Sequence, residues 1–522
     1  MAEEKTKKSS DEDKKSTKQT GKLIGIAVAA ITVIGAGVFA CLHFFGQKAP
    51  NDPTASPTYS KSFFISDGGK YTLWNDEGKR VTEETYTNKS DFIGGYALVR
   101  SDDKYSIIKE DGKPAVEYGK YGEIVAKGGL YRAKDGNTNR YYLITGTGKV
   151  LAEADKMELT ASVTSAGFAV AEFDNTVAAF YYDGTPIVKL NKVDGGEVKM
   201  SALKDYGIVY YDAHNYVFDT RSKKTVAVVD DLFFKLSEVS EKRDQILLKD
   251  DENDKNYKLL SGGKIYDLNE MKYYSFTTLD YLIGYDSFSE IALLDENFKA
   301  ATKVSSSVAP KDYKNYATED ENGNIIIVKN GETIKTFDKD ADVASGVLYD
   351  DYYVIENDGK FGIYDLNGNQ KFGDFKDIYS LFDRYHHIAV AKDEEDKYGL
   401  MDVNGNFLTG TDTYYRILTS KGGYTFVNSD KKRALADTSG HIATEFKYSD
   451  ASYRGGSALD RNIWTAKVDT DKYDVINLDT KQILASDVNV YSISDNYFSV
   501  KNADKKIEYY TYSGVKFYTS EN

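Results

Sequence analysis

Cysteine is nearly absent from this sequence, and its scarcity excludes several kinds of site. Cys41 is the only cysteine among 522 residues, so the chain has no intrachain disulfide and no zinc site built from thiolates. Histidine is scarce too, with five residues and no pair at the i, i+4 spacing of a helical zinc site. The stability of the folded part must therefore come from packing.

Proline is also rare, with six residues, whereas tyrosine (43), glycine (42) and phenylalanine (25) are abundant. Aromatic residues favour β-strands, and glycine favours the tight turns between them. A chain of 522 residues is too long for one ordinary core and should be divided into domains or repeats. The composition therefore predicts an all-β protein made of several units.

The charge balance argues against a nucleic-acid partner. The formal net charge is −15, and the acidic residues are spread through the long C-terminal part of the chain. Such a surface repels phosphate backbones.

One long apolar run predicts a membrane anchor. Residues 23–45 contain no charged side chain and are long enough to cross the hydrocarbon core as a helix. Residues 1–22 are a basic, disordered tail with seven lysines, so the positive-inside rule places the N-terminus in the cytoplasm and the rest outside. The sequence predicts a single-pass protein of the cell membrane with an extracytoplasmic C-terminal part.

The apolar run allows two other interpretations. A cleaved signal peptide has a shorter apolar region and a small-residue cleavage site, which is not found here. A lipoprotein would carry its lipid on Cys41, but Phe39 is bulky for that motif. Residues 46–59, with three prolines, predict an extended stalk beyond the anchor.

A repeat dominates the remainder of the chain. Each copy has a charged residue, an aromatic residue, a short alternating strand, a glycine turn and further strands, and starts recur about 36 residues apart. Asp-x-Asn-Gly-Asn turns begin at Asp320, Asp365 and Asp402. A calcium loop needs six to eight oxygen ligands and a different spacing, so hairpin turns are the preferred interpretation.

The clearest copies begin with Lys-Phe-Gly at residues 360–362 and Lys-Tyr-Gly at 397–399. This pattern resembles the WG-repeat family of bacterial surface proteins, whose units start with Lys-Trp-Gly; here tyrosine or phenylalanine replaces the tryptophan. The resemblance extends over about residues 60 to 522 and is strongest at 356–440.

One hairpin unit cannot bury its own apolar face, so the copies should stack. The segment 61–67 is similar to the strand preceding each later start, and 506–518 is similar to an opening hairpin; together they predict a composite unit that closes a ring. Because one propeller usually has four to eight blades, we expect two propeller-like domains, at 60–290 and 291–522. An open β-solenoid is the alternative.

No nucleophile with a base, cofactor fingerprint or metal cluster is recognisable, so the sequence predicts a protein that is not an enzyme and carries no cofactor. Aromatic residues at the repeat starts are expected to be core positions: Tyr71, Tyr105, Tyr257, Phe361 and Tyr398. Tyrosines outside that register are the candidate binding residues: Tyr414, Tyr415, Tyr509, Tyr510 and Tyr512.

Together these features predict a membrane-anchored cell-surface protein that binds or scaffolds a surface protein or a glycan. The alternatives are a surface glycan hydrolase with a pair of loop carboxylates, and a ligand-sensing ectodomain.

Overall fold

A computed structural model describes residues 60–520, apart from 164, 231, 241, 254, 278–279, 288–289, 306–307, 339, 344–351, 381–387, 403, 410–413 and 455–460. All regular structure among these residues is β-strand. The strands form antiparallel sheets in which sequence neighbours pair, and these sheets confirm the predicted all-β class. Twelve sheets are hydrogen-bonded separately, and the last contains two units that share strand β44, so the described chain has thirteen units.

Units 1 to 5 occupy the N-terminal part of the described chain. Their strands are β1 (Ser62–Asp67) and β2 (Lys70–Asn75); β3 (Asn88–Lys89), β4 (Tyr96–Ser101), β5 (Lys104–Lys109) and β6 (Pro114–Val116); β7 (Glu123–Lys127), β8 (Leu130–Lys134), β9 (Tyr141–Thr145) and β10 (Val150–Ala154); β11 (Met157–Val163), β12 (Phe168–Phe173), β13 (Thr176–Tyr181) and β14 (Pro186–Asn191); β15 (Lys199–Leu203), β16 (Tyr206–Tyr211), β17 (His214–Asp219) and β18 (Lys224–Asp230).

Units 6 to 9 follow with four strands each. They are β19 (Phe234–Ser240), β20 (Gln245–Asp250), β21 (Tyr257–Ser261) and β22 (Lys264–Leu268); β23 (Tyr273–Phe276), β24 (Leu282–Ser287), β25 (Glu290–Leu294) and β26 (Ala300–Ser305); β27 (Val308–Pro310), β28 (Tyr316–Glu319), β29 (Ile325–Lys329) and β30 (Glu332–Thr336); β31 (Asp342–Val343), β32 (Tyr352–Asn357), β33 (Lys360–Asp365) and β34 (Gln370–Phe375).

Units 10 to 13 complete the array. They are β35 (Asp377–Ser380), β36 (Ala389–Lys392) and β37 (Tyr398–Met401); β38 (Arg416–Ser420), β39 (Gly423–Val427) and β40 (Arg433–Ala436); β41 (Asp450–Tyr453), β42 (Ile463–Asp469), β43 (Lys472–Asn477) and the first half of β44 (Gln482–Ile493); the second half of β44, β45 (Phe498–Lys501), β46 (Ile507–Tyr510) and β47 (Lys516–Thr519).

The repeat read from the sequence corresponds to these units. Lys360, a predicted start, begins the third strand of a four-stranded unit, and Lys104 and Lys472 hold the same position in units 2 and 12. Third strands are buried on both sides because each unit is covered by the unit before it and the unit after it. Of the repeat-start aromatics, Tyr257 is buried in a hydrophobic cluster, as predicted for a core position. The other four are partly buried and pack against the edges of clusters: Tyr71, Tyr105, Phe361 and Tyr398.

Thirteen hydrophobic clusters lie between neighbouring units in the described part of the chain, and twelve of them join consecutive units. Between units 4 and 5, for example, the rings of Phe168 and Phe218 meet edge to face with centroids 5.0 Å apart. The first strands of units 3 to 7 contact one another in succession. Blade-like sheets packed face to face with their first strands adjacent are the arrangement of a β-propeller.

The thirteenth cluster joins unit 13 to unit 1, so the packing order is closed. Closure does not use the predicted composite unit, however. The segment 62–67 pairs with Lys70–Asn75 in its own hairpin, and unit 13 obtains all its strands from residues 489–519. The composite prediction was wrong because the C-terminal hairpin already has its partner in Phe498–Lys501.

The predicted domain boundary between residues 290 and 291 falls inside β25, which pairs with β24 on one side and β26 on the other. Unit 7 also shares hydrophobic clusters with both unit 6 and unit 8. The boundary therefore cuts through a sheet and two cores, and its position is corrected: no break in packing marks residue 290.

The predicted anchor at 23–45, the tail at 1–22 and the stalk at 46–59 lie outside the described residues. From residue 60 onwards, the described part of the chain includes no apolar helix of membrane-spanning length.

The Asp-x-Asn-Gly-Asn segments form turns held by their own aspartate. Asp365 Oδ1 accepts hydrogen bonds from the backbone N–H groups of Asn367 and Asn369, both at 2.9 Å, and Gly368 supplies the required positive φ of 75°. Partial burial opposes ionisation of Asp365, yet the hydrogen bonds from Asn369 and Asn367 outweigh it and lower the pKa to about 2. These carboxylates close hairpins.

Candidate functional site

The five tyrosines predicted as a binding patch are separated by the fold. Tyr509 is 8% exposed and belongs to the cluster that joins units 13 and 1, which corrects its assignment to the surface. Tyr510 and Tyr512 lie on the opposite face of unit 13, against unit 12. Tyr510 stacks on Phe498 at 5.2 Å, and the guanidinium of Arg461 lies 4.8 Å from the ring centroid of Tyr512.

Tyr414 and Tyr415 lie at the start of unit 11. Tyr414 packs edge to face on Phe426, with centroids 4.8 Å apart, whereas Tyr415 is 61% exposed. Of the five predicted residues, only Tyr415 is exposed. Alternate residues of a strand face opposite sides of a sheet, and in this array both sides are covered, so tyrosines outside the repeat register are used for packing as well.

One cavity within residues 60–520 is a cleft between units 7 and 8, which we call the 7–8 cleft. Its volume is about 430 Å³. It lies between the outer strand of unit 7, Ala300–Ser305, and the second strand of unit 8, Tyr316–Glu319. Its lining comprises Glu290, Thr302, Lys303, Val304, Ser305, Tyr316, Thr318, Glu319, Asp320, Glu321 and Ile326.

Hydroxyl groups form one part of the 7–8 cleft. Thr318 is buried, and its Oγ1 lies 3.5 Å from Ser305 Oγ across the junction between the two units. Tyr316 is two residues earlier on the same strand and therefore projects on the same side as Thr318. Burial raises the pKa of the Tyr316 phenol, an effect that a hydrogen bond with Thr302 partly opposes, so the phenol stays protonated.

Charged groups form another part of the 7–8 cleft. Lys303 Nζ pairs with Glu290 Oε1 at 2.8 Å. Asp320 is occupied by its turn, where it accepts backbone N–H bonds from Asn322 and Asn324 at 2.9 and 2.8 Å. Two of the carboxylates in the cleft thus already have firm partners.

The 7–8 cleft offers hydroxyl donors and acceptors, carboxylate acceptors, an ammonium group and one aromatic ring. This combination suits a ligand with many hydroxyl groups and apolar faces that can lie against a ring. Sequence reasoning missed these residues because Thr302 and Thr318 are ordinary strand residues. The only local signal was the Tyr-x-Thr spacing in β28, which puts an aromatic and a hydroxyl on one face.

A smaller cavity of about 280 Å³ lies at the turns of units 2 to 4 and includes Lys89, Gly128 and Tyr131. Lys89 pairs there with Asp91 at 2.5 Å, and Tyr131 donates to the carbonyl of Tyr96 at 3.2 Å. Fewer side-chain groups are available for a ligand than in the 7–8 cleft. The described histidines belong to different units: His214 of unit 5 contacts the backbone of Asp212 and the side chain of Asp230, and His441 of unit 11 lies beside Asp437.

Neither a protein-family model nor a curated protein matches the sequence. Among solved structures, Hsv2 of Kluyveromyces lactis is similar at 11% identity over 39% of this chain and 78% of Hsv2, with a TM-score of 0.22. BamB of Moraxella catarrhalis is similar at 12% identity over 53% of this chain and 93% of BamB, with a TM-score of 0.21. A eukaryotic initiation factor is similar at 8% identity over 74% of this chain and 95% of its own chain, with a TM-score of 0.21. At these scores the likeness assigns no function.

Proposed function

We propose that this protein is a membrane-anchored, extracytoplasmic binding protein that presents its array of β-sheet units to a glycan, with the 7–8 cleft as the ligand site. A surface protein is the second partner class to test. The WG-repeat resemblance of the repeat starts and the apolar run at 23–45 support a place at the bacterial cell surface.

The lining of the 7–8 cleft is the observation that carries this proposal. Hydroxyl side chains from both units line the cleft together with the half-buried ring of Tyr316, and carboxylates belong to the same lining. Sugars are held by hydrogen bonds to such groups and by stacking on an aromatic face. Glu290 pairs with Lys303 and Asp320 is committed to its turn, so these two carboxylates have structural partners. Glu319 and Glu321 are the pair that the hydrolase alternative would use.

Replacing residues of the 7–8 cleft is expected to weaken glycan binding by the full-length protein in nanodiscs. Tyr316→Ala should reduce affinity about tenfold or more because the stacking face is lost. Thr318→Val keeps the shape, removes one hydroxyl and should reduce affinity about fivefold. Binding is measured on a glycan array and then by calorimetry with the strongest ligand.

Thr333→Val in the outer strand of unit 8 is the matched control, since Thr333 is exposed and outside the cleft. Its affinity should equal that of the unsubstituted protein. Equal binding by the Tyr316 variant would remove the cleft from the proposal. Release of a cleaved product would establish the hydrolase alternative, and saturable capture of a labelled surface protein without glycan binding would establish the protein partner.

The membrane orientation has its own test. Protease added to intact cells should degrade the repeat region while the N-terminal tail stays protected, because the lysines of residues 1–22 retain that end in the cytoplasm. Antibodies against tags at the two ends give the readout. Protection of the C-terminal tag in sealed cells, with loss after permeabilisation, would overturn the orientation.

A further inference from the structure

The junction between unit 13 and unit 1 is built from aromatic side chains. Trp74 of unit 1 packs against Phe517 and Tyr518 of unit 13, with ring centroids 5.2 and 5.3 Å apart. Phe63 packs on Tyr497 at 4.9 Å. We call this set of contacts the seam. In a cycle of units that follow one another in sequence, it is the one junction that the chain does not cross.

The seam repeats the geometry of the internal junctions. A Cβ atom on Gly78, in a turn of unit 1, would lie 2.7 Å from Cβ of Phe517 in the last strand of unit 13. The equivalent glycine of unit 4, Gly184, is equally close to Leu151 in the last strand of unit 3. Unit 1 therefore follows unit 13 as each internal unit follows the one before it.

Two hydrogen bonds fix the register of the seam. Asn496 Nδ2 donates to the backbone carbonyl of Ser60 at 2.9 Å, and this bond is buried. The hydroxyl of Tyr518 donates to Asp67 Oδ2 at 2.6 Å. Directional bonds at both ends of the aromatic contact select one alignment of the two faces.

We propose that the end faces of units 1 and 13 recognise each other within one chain in solution and lock the thirteen units into a single ring. This closure replaces two separately closed propellers and is independent of any ligand. Because Cys41 is the only cysteine, no disulfide between the two faces can hold the seam, and aromatic packing and hydrogen bonds close it.

The two tryptophans of the chain make the seam measurable. Trp74 is 9% exposed at the seam, and Trp464 is 2% exposed in the cluster between units 11 and 12. Two variants of the full-length protein are studied in detergent micelles. In Trp464→Phe the only tryptophan that fluoresces is Trp74, and in Trp74→Phe it is Trp464. Acrylamide quenching should be slow for both reporters, and it should not change when the protein is diluted.

Phe517→Ala should then raise the quenching constant of Trp74 about twofold or more and leave that of Trp464 unchanged. Tyr510→Ala is the control, since Tyr510 is a half-buried aromatic on the other face of unit 13, away from Trp74. If Phe517→Ala also exposes Trp464, Phe517→Leu is measured instead. It should again raise the quenching constant of Trp74 and leave that of Trp464 unchanged.

Three results would overturn the proposal. Quenching of Trp74 in the Trp464→Phe protein as fast as in urea would mean that the two end faces are apart. An unchanged constant in both Phe517 variants would mean that Trp74 is shielded by something else. Protection that disappears on dilution, together with a dimer mass by light scattering, would make a second copy the partner.

Discussion

Replacing Asp474 by alanine is expected to lower the free energy of unfolding by about 2 to 3 kcal/mol, the usual effect of removing hydrogen bonds to a buried charged group. The side chain of Asp474 is 1% exposed. It accepts hydrogen bonds from Ser486 Oγ at 2.7 Å, from the backbone N–H of Asp487 at 3.1 Å and from the hydroxyl of Tyr448 at 2.9 Å. The substitution leaves all three donors without their acceptor.

The measurement is the urea midpoint followed by Trp464 fluorescence, because Trp464 shares a hydrophobic cluster with Tyr448. Asp504→Ala is the control: Asp504 is exposed in the neighbouring unit and should change stability by less than about 0.5 kcal/mol. Similar midpoints for the two variants would contradict the structural role given to Asp474.

The effect of Asp474 should also depend on pH. Burial opposes its ionisation, but the hydrogen bonds from Ser486, Asp487 and Tyr448 outweigh burial and lower the pKa of the carboxyl. A lowered folded-state pKa contributes stability above the unfolded value, about 3.9, and that contribution is lost as the pH falls through the folded pKa. The difference between the unsubstituted and Asp474→Ala proteins should therefore shrink below about pH 4.

Replacing Gly128 by alanine should destabilise the protein by about 3 kcal/mol or more, through strain in the left-handed region and overlap with a backbone that cannot move aside. Gly128 lies in the two-residue turn between β7 and β8 with φ of +56°. A Cβ atom there would overlap the carbonyl oxygen of Phe168 in unit 4 and lie 2.9 Å from its carbonyl carbon.

Gly262 provides a matched control because it has the same φ of +56° in the same kind of turn, with nothing within 4 Å of a Cβ atom. Gly262→Ala should cost about 1 kcal/mol, which is the conformational strain alone. Thermal and urea unfolding of the two variants separate strain from overlap. Equal losses would mean that the turn of unit 3 does not contact unit 4 in solution.

The repeat could be predicted from the sequence because every copy must meet the same structural requirements. Each needs a turn residue with positive φ and a strand that is apolar on both faces, so glycines such as Gly368 and starts such as Lys360 recur in register. The candidate site could not be predicted from the sequence. Thr302, Tyr316 and Thr318 come from two units, and only the packing of one sheet on the next brings them to one cleft.

The predicted tyrosine patch illustrates the same limit. Tyr509 and Tyr510 are adjacent in the chain, so their side chains project from opposite faces of the strand. The sequence pattern does not show which unit covers each of these two faces. In the array unit 1 covers one side and unit 12 the other. The predicted boundary near residue 290 is incorrect for a related reason: the usual blade number of a propeller does not show where packing between consecutive units continues, and here it continues across β25.

The sequence by itself determined the all-β class, the repeat length and the turns, because these depend on contacts within one unit. It also carries the apolar run and lysine asymmetry on which the membrane prediction rests. Only the tertiary structure decided that unit 13 packs on unit 1, that most of the candidate tyrosines are packed between sheets, and that a polar cleft lies between units 7 and 8. These features join residues far apart in the chain, and only the face-to-face stacking of sheets brings them together.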